Sequence, residues 1–192
     1  MNRRALLTAG TVLPALALGL PAAARAEAPA GRIADPDPLD GELAKYPKCP
    51  YCGMDRLKWH FSRHLVHYDD ESAEGTCSLR CAAVSMVNNI RRVAKAVYAP
   101  DNGSGDPVKP LVNAEFATYV IGGDHRSVMT RVPKTPFASR LAAEAARGDG
   151  ELTDFDGALK LAYAHLVDGM TSARRRREEQ LRRKAREERE GG

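Results

Sequence analysis

Cys49-Pro50-Tyr51-Cys52-Gly53-Met54, answered downstream by Cys77-Ser78-Leu79-Arg80-Cys81, is the stretch on which the reading of this chain turns. All four cysteines of the 192 residues fall in these two clusters. C-P-x-C-G has the shape of a knuckle, a tight turn that lets two thiolates converge on one ion. Cys77 and Cys81 are four apart where Ser78 can cap a helix, so both face the same side. A helix N-terminus also favours the thiolate form. With 24 residues between the pairs, knuckle, hairpin and helix start would form a treble-clef-like pocket of four thiolates.

Three uses of such a pocket stay open at this point. Four thiolates alone are a structural zinc set, Zn(II) on Cys49, Cys52, Cys77 and Cys81. Met54 adds a thioether from the same turn as Cys52, and a thioether suits Cu(I) far better than zinc. His64 and His67 follow close behind; three apart on a strand, they face opposite sides, so at most one reaches the ion. The third use is redox exchange at the C-x-x-C pair. Against it, a Pro-rich loop precedes Cys49 where the usual redox context has a strand. Cu(I) is the first expectation.

Outward from the site, the N-terminus is basic (Met1-Asn2-Arg3-Arg4), then apolar to Ala24, and ends in Ala24-Arg25-Ala26. That is the pattern of a cleaved secretory signal over residues 1–26, and Arg3-Arg4 also fits twin-arginine export. The expected location is the periplasm, with no membrane span after signal cleavage. Removing Arg3, Arg4 and Arg25 leaves 26 basic against 25 acidic side chains. A balance so near neutral gives no reason to expect nucleic acid as a partner. Export into an oxidising compartment sets free thiols against disulfides.

Residues 27–47 are rich in Pro, Asp, Ala and Gly, and read as a flexible lead-in. Residues 48–100 form the cysteine-bearing half: a strand over 57–68, a polar turn over 69–75, a helix from Ser78 with Cys81, Ala82, Val84, Ser85 and Ile90 on its apolar positions, and a strand over 93–98. Residues 101–170 repeat the order after a loop over 101–110: a strand over 116–121, a helix over 137–147, a strand over 151–155 and a closing helix capped by Asp156. The fold class is therefore α+β, two small ββαβ-type halves. Residues 171–192 form a charged helical tail, with Arg174–Glu178, Arg175–Glu179, Arg183–Glu187 and Lys184–Glu188 at i,i+4. Met86, Met129, Met170, Trp59 and Phe61 read as packing and His165 as a helix-surface residue. No hydrolytic or phosphoryl-transfer set stands out, so an enzyme is not expected.

Cys-Pro-Tyr-Cys-Gly-Met, the segment Thr76-Cys-Ser-Leu-Arg-Cys-Ala-Ala83 and the block Ala117-Thr-Tyr-Val-Ile-Gly-Gly-Asp-His-Arg-Ser-Val-Met129 together resemble the NosL family. The likeness runs over about residues 48–166 and includes Leu152-Thr-Asp-Phe-Asp-Gly-Ala-Leu159. It implies an exported copper-binding metallochaperone that helps assemble the copper centres of nitrous oxide reductase, acting on that enzyme or its assembly factors. The family's Cys-x-Met falls on Cys52 and Met54, with His64 or His67 as the expected histidine. Cys49, Cys77 and Cys81 go beyond that minimal motif.

Overall fold

The computed structural model describes residues 34–190; the expected signal segment lies outside them. The chain runs α1 (Glu42–Lys45), β1 (His64–Tyr68), β2 (Ala73–Thr76), α2 (Leu79–Asn88), β3 (Ala94–Pro100), β4 (Leu111–Asn113), β5 (Thr118–Ile121), β6 (Lys134–Phe137), α3 (Arg140–Ala146), β7 (Glu151–Thr153) and α4 (Phe155–Glu190), with a 3-10 turn over Ala114–Phe116. The fold is α+β, as expected. One sheet has the order β2-β1-β3-β4 and the other β6-β5-β7. In each, the first strand of a ββαβ unit lies centrally, antiparallel to the second on one side and to the third on the other. The two halves thus share one topology. β4 extends the first sheet from beyond residue 100, pairing Tyr98 with Asn113.

Helices α2, α3 and α4 begin where a side chain can take an orphan N–H. Ser78 Oγ accepts from Cys81 N at 3.4 Å, and Ser139 Oγ from Ala142 N at 3.4 Å. At α4 the cap is Asp154, whose Oδ1 accepts from Gly157 N at 2.8 Å; Asp156, the expected cap, lies inside the helix.

Several boundaries differ from expectation. Residues 57–62 form successive turns, and the strand starts only at His64. The expected polar turn contains β2, held by the register Leu65↔Gly75 and Val66↔Glu74. Phe137 ends β6 instead of starting a helix. Pro136 is tolerated there because β6 is an edge strand. Ile90 falls beyond α2 and is 85% exposed. Within the lead-in lies α1, where Glu42 is buried against Arg56 and Arg63. The tail is the continuation of α4, a single helix in which Arg174–Glu178 (3.4 Å) and Arg183–Glu187 (3.5 Å) close as expected.

The main core joins β1, β3 and β5 to α2 and α4 through Val66, Tyr68, Leu79, Val97, Tyr119 and Phe155. Ala82 and Ala83 on α2 and Ala158 and Ala162 on α4 are fully buried there. Their small size lets the two helices approach closely. The start of α2, which carries Cys77 and Cys81, is thereby fixed against the body of the protein.

Candidate metal centre

The knuckle closes through its own backbone. Cys49 N donates to Met54 O and Gly53 N to Cys49 O, both at 2.9 Å, and Lys48 and Asp55 form an antiparallel bridge. Gly53 stands at φ +73°, the left-handed conformation that favours glycine. Below it, Arg56 is wholly buried and ties four segments together. It donates to Thr76 O (3.2 Å), Tyr46 O (2.7 Å) and His64 O (3.2 Å), and pairs with Glu42 Oε2 at 2.7 Å. Glu42 Oε1 also takes Arg63 Nε at 2.7 Å, so two buried guanidiniums share one buried carboxylate.

The second pair comes from the start of α2, with Cys77 just before the Ser78 cap and Cys81 in the first turn. All four Sγ atoms lie within 4.8 Å of one another. Cys52 Sγ is 3.3 Å from Cys77 Sγ, Cys77 Sγ 3.7 Å from Cys81 Sγ, and Cys81 Sγ 3.9 Å from Cys52 Sγ. Ligands at about 2.3 Å from a tetrahedral ion stand about 3.8 Å apart, so this set fits a tetrathiolate ion with only small adjustment. The thiols are free. Cys49, Cys77 and Cys81 are 2% exposed or less, and Cys52 is the least covered. Tyr51 and Met54 pack against the cluster.

The thiols polarise one another. Hydrogen bonds given by Cys77 and then Cys81 hold the Cys49 thiol well below the usual thiol range. The same bonds act in reverse on the donors: Cys77 is pushed far up by the hydrogen bond to Cys49, and Cys81 up to about 12. Burial adds to both shifts. This coupling keeps the charge of the thiol cluster low and favours the thiolate at Cys49. An arriving cation must displace protons from Cys77 and Cys81 to gain all the sulfurs.

The expected histidines are not brought to this group. His64 is fully buried, with Nδ1 2.9 Å from Ser62 O and Nε2 3.2 Å from Tyr119 OH, so both ring nitrogens are engaged in the core. Its extended strand position points it at β5, and burial lowers its pKa to about 4. His67 is buried on β1, its Nε2 3.0 Å from Glu71 Oε2, close but off the line of a hydrogen bond. Trp59 and Phe61 pack edge to face, as expected of packing residues.

Sequence reasoning passed over Arg56, Glu42 and Glu74. Charged residues next to a turn read as surface, and only their pairing across 14 or more positions reveals burial. The density of charge around Asp55-Arg56 offered no signal of it.

The sequence pattern of the family described as NosL matches residues 40–158. No curated protein matches. Among solved structures, the copper chaperone NosL from Shewanella denitrificans is 26% identical, over 57% of this chain and 87% of that one, with a TM-score of 0.43. The family match takes in more than half of the chain, including the knuckle, the start of α2 and both sheets, and the chain belongs to the NosL family.

Proposed function

We propose that this protein is an exported metallochaperone that carries Cu(I) on Cys52 and Met54, backed by the other thiols of the cluster. Its cargo would go to nitrous oxide reductase or to that enzyme's assembly factors, as the family resemblance implies. The observation that carries the reading is the C-G-M turn, which sets a thioether against a buried thiol group and leaves its own cysteine the most accessible. A soft donor set of this kind prefers Cu(I), and an accessible edge lets a partner's ligands replace these donors one at a time. Transfer of an ion calls for no catalytic residue. Among the described residues no helix is long and apolar enough to cross a membrane.

Anaerobic titration of the reduced protein tests the assignment. Met54→Ala should weaken Cu(I) binding by about tenfold or more, at least the loss that follows removal of a residue supporting a metal ligand. Wild-type affinity in that variant sinks the thioether role.

A second reading is favoured by the sulfur spacing. The S···S distances of 3.3, 3.7 and 3.9 Å fit a Zn(II) tetrathiolate that holds the knuckle to α2. Zinc at one per chain, untouched by Met54→Ala and resistant to Cu(I) competition, would select it.

A further inference from the structure

A cleft of about 610 Å³ is lined by Arg80 of α2, by Met129, Thr130, Arg131 and Val132 of the loop before β6, and by a face of α4 from His165 to Arg176. Its size is that of a small-molecule site. We propose that it binds a small multiply charged anion bearing carboxylate or phosphate groups. This goes beyond metal transport and does not depend on it.

The charge balance argues for an anion. Arg80, Arg131 and Arg176 line the cleft against one carboxylate, Asp168. Among the described residues, none of these three guanidiniums closes an ion pair, whereas Arg56, Arg63, Arg92 and Arg140 all do. Guanidiniums with unspent donors lining one cleft are the usual means of gripping planar or tetrahedral oxyanions.

Behind this rim stands a fourth cation. Lys134 is half-buried, and among the described residues its ammonium meets only neutral acceptors: His165 Nδ1 at 2.9 Å, Val132 O at 3.3 Å and Thr130 Oγ1 at 3.4 Å. Burial lowers its pKa to about 8. A partly desolvated ammonium without a carboxylate is costly until an anion offsets it. Because His165 Nδ1 accepts from Lys134, its proton sits on Nε2, which adds a neutral donor to the same wall. A smaller pocket of about 30 Å³ adjoins, sharing Arg80 and Thr130 with the cleft, and includes Lys134 and Arg126. The Arg126 guanidinium lies 4.1 Å over the Phe61 ring, so its position is set by stacking.

Met129 and His165 are soft donors in the same cleft, which raises a second metal site as the competing idea. The electrostatics oppose it. An incoming cation would meet the Lys134 ammonium on His165 Nδ1 and three arginines around it.

The test uses the full chain, with citrate and inorganic phosphate as separate probes at fixed ionic strength and potassium chloride as control. Saturable one-to-one binding is expected by calorimetry, with backbone shifts centred on Thr130, Val132 and His165. Arg131→Gln and Arg176→Gln, both exposed and remote from the core, should each weaken it by about tenfold, the scale of one lost charge-assisted hydrogen bond. Preference between the probes identifies the group recognised. Absence of saturable binding to both, an equal response to chloride, or affinity unchanged in both variants overturns the proposal.

Discussion

Tyr51, set between the two cysteines of the knuckle, donates its phenolic hydrogen to Glu74 on β2. The same carboxylate accepts from Ser85 Oγ at 2.8 Å and Asn89 Nδ2 at 3.1 Å, and meets Arg92 at 3.4 Å. Ser85 Oγ in turn lies 2.5 Å from Tyr68 OH. One acidic side chain therefore joins the knuckle, the hairpin and the far end of α2. The cysteine pairs are held in register by this polar network as well as by any ion.

Tyr51→Phe keeps the ring that packs on the cluster and removes only the hydroxyl. The Glu74 carboxylate loses one of its donors, at a cost of about 1.5–3 kcal/mol for a hydrogen bond to a charged group. Urea denaturation of the metal-free protein should show that loss. No change in midpoint would mean that the network does not hold the knuckle.

Arg56 is the second anchor, and its substitution should be far more damaging. Arg56→Met leaves Glu42 with Arg63 as its remaining guanidinium and deprives the carbonyls of Tyr46, His64 and Thr76 of their donor. Each buried acceptor left without a donor costs about 1–3 kcal/mol. Gly75→Ala probes the same anchor sterically, since a Cβ there would stand 2.6 Å from the Arg56 Cζ and 2.5 Å from the Tyr46 Cβ. Both variants should lower the thermal midpoint and weaken metal binding, although neither alters a thiol. A Gly75→Ala protein with wild-type melting would contradict the close approach.

His64 gives a pH dependence with a defined sign. Burial holds its folded-state pKa at about 4, against 6.5 for the free side chain. The unfolded chain takes up the proton first as pH falls, so stability is complete above about 6.5 and declines down to about 4. The full loss is about 3 kcal/mol for a shift of this size. His64→Gln should be less stable at neutral pH but flatter across that window. Parallel pH profiles for the two proteins would show that another group supplies the slope.

What the sequence made legible was what short-range chemistry encodes. The knuckle, the Ser78 cap, the convergence of Cys77 and Cys81 and the doubled strand-helix-strand order all follow from spacing and turn residues within a few positions. β2 was hidden because Ala73-Glu74-Gly75-Thr76 has no apolar alternation. Gly75 is there to admit the Arg56 guanidinium, and Glu74 to serve the polar network. β6 was masked by Pro136, which only an edge position permits. The histidines misled for the opposite reason: metal-ligand residue types near a metal motif invite assignment, whereas the β1 register sends His64 to Tyr119. The Glu42 clamp joins residues 14 and 21 positions apart, which local pattern does not reach.

The last expectation sets thiol reactivity against access. Hydrogen bonds from Cys77 and Cys81 favour ionisation of Cys49, yet it is only 2% exposed. Cys52 is the least covered of the four. Alkylation needs both a thiolate and an open approach to sulfur, and a closed site stops a bulky reagent however nucleophilic the atom. In the metal-free reduced protein, iodoacetamide should therefore label Cys52 first, as read by peptide mass spectrometry at short times. Once Cys52 is blocked and the knuckle loosened, Cys49 should follow ahead of Cys77 and Cys81, whose protons are held more tightly. Binding of an ion that engages all four sulfurs should suppress the whole sequence. Labelling of Cys49 before Cys52 would show that the knuckle opens faster than its buried packing implies, and would move the point of metal entry from the Cys52–Met54 edge to the floor of the cluster.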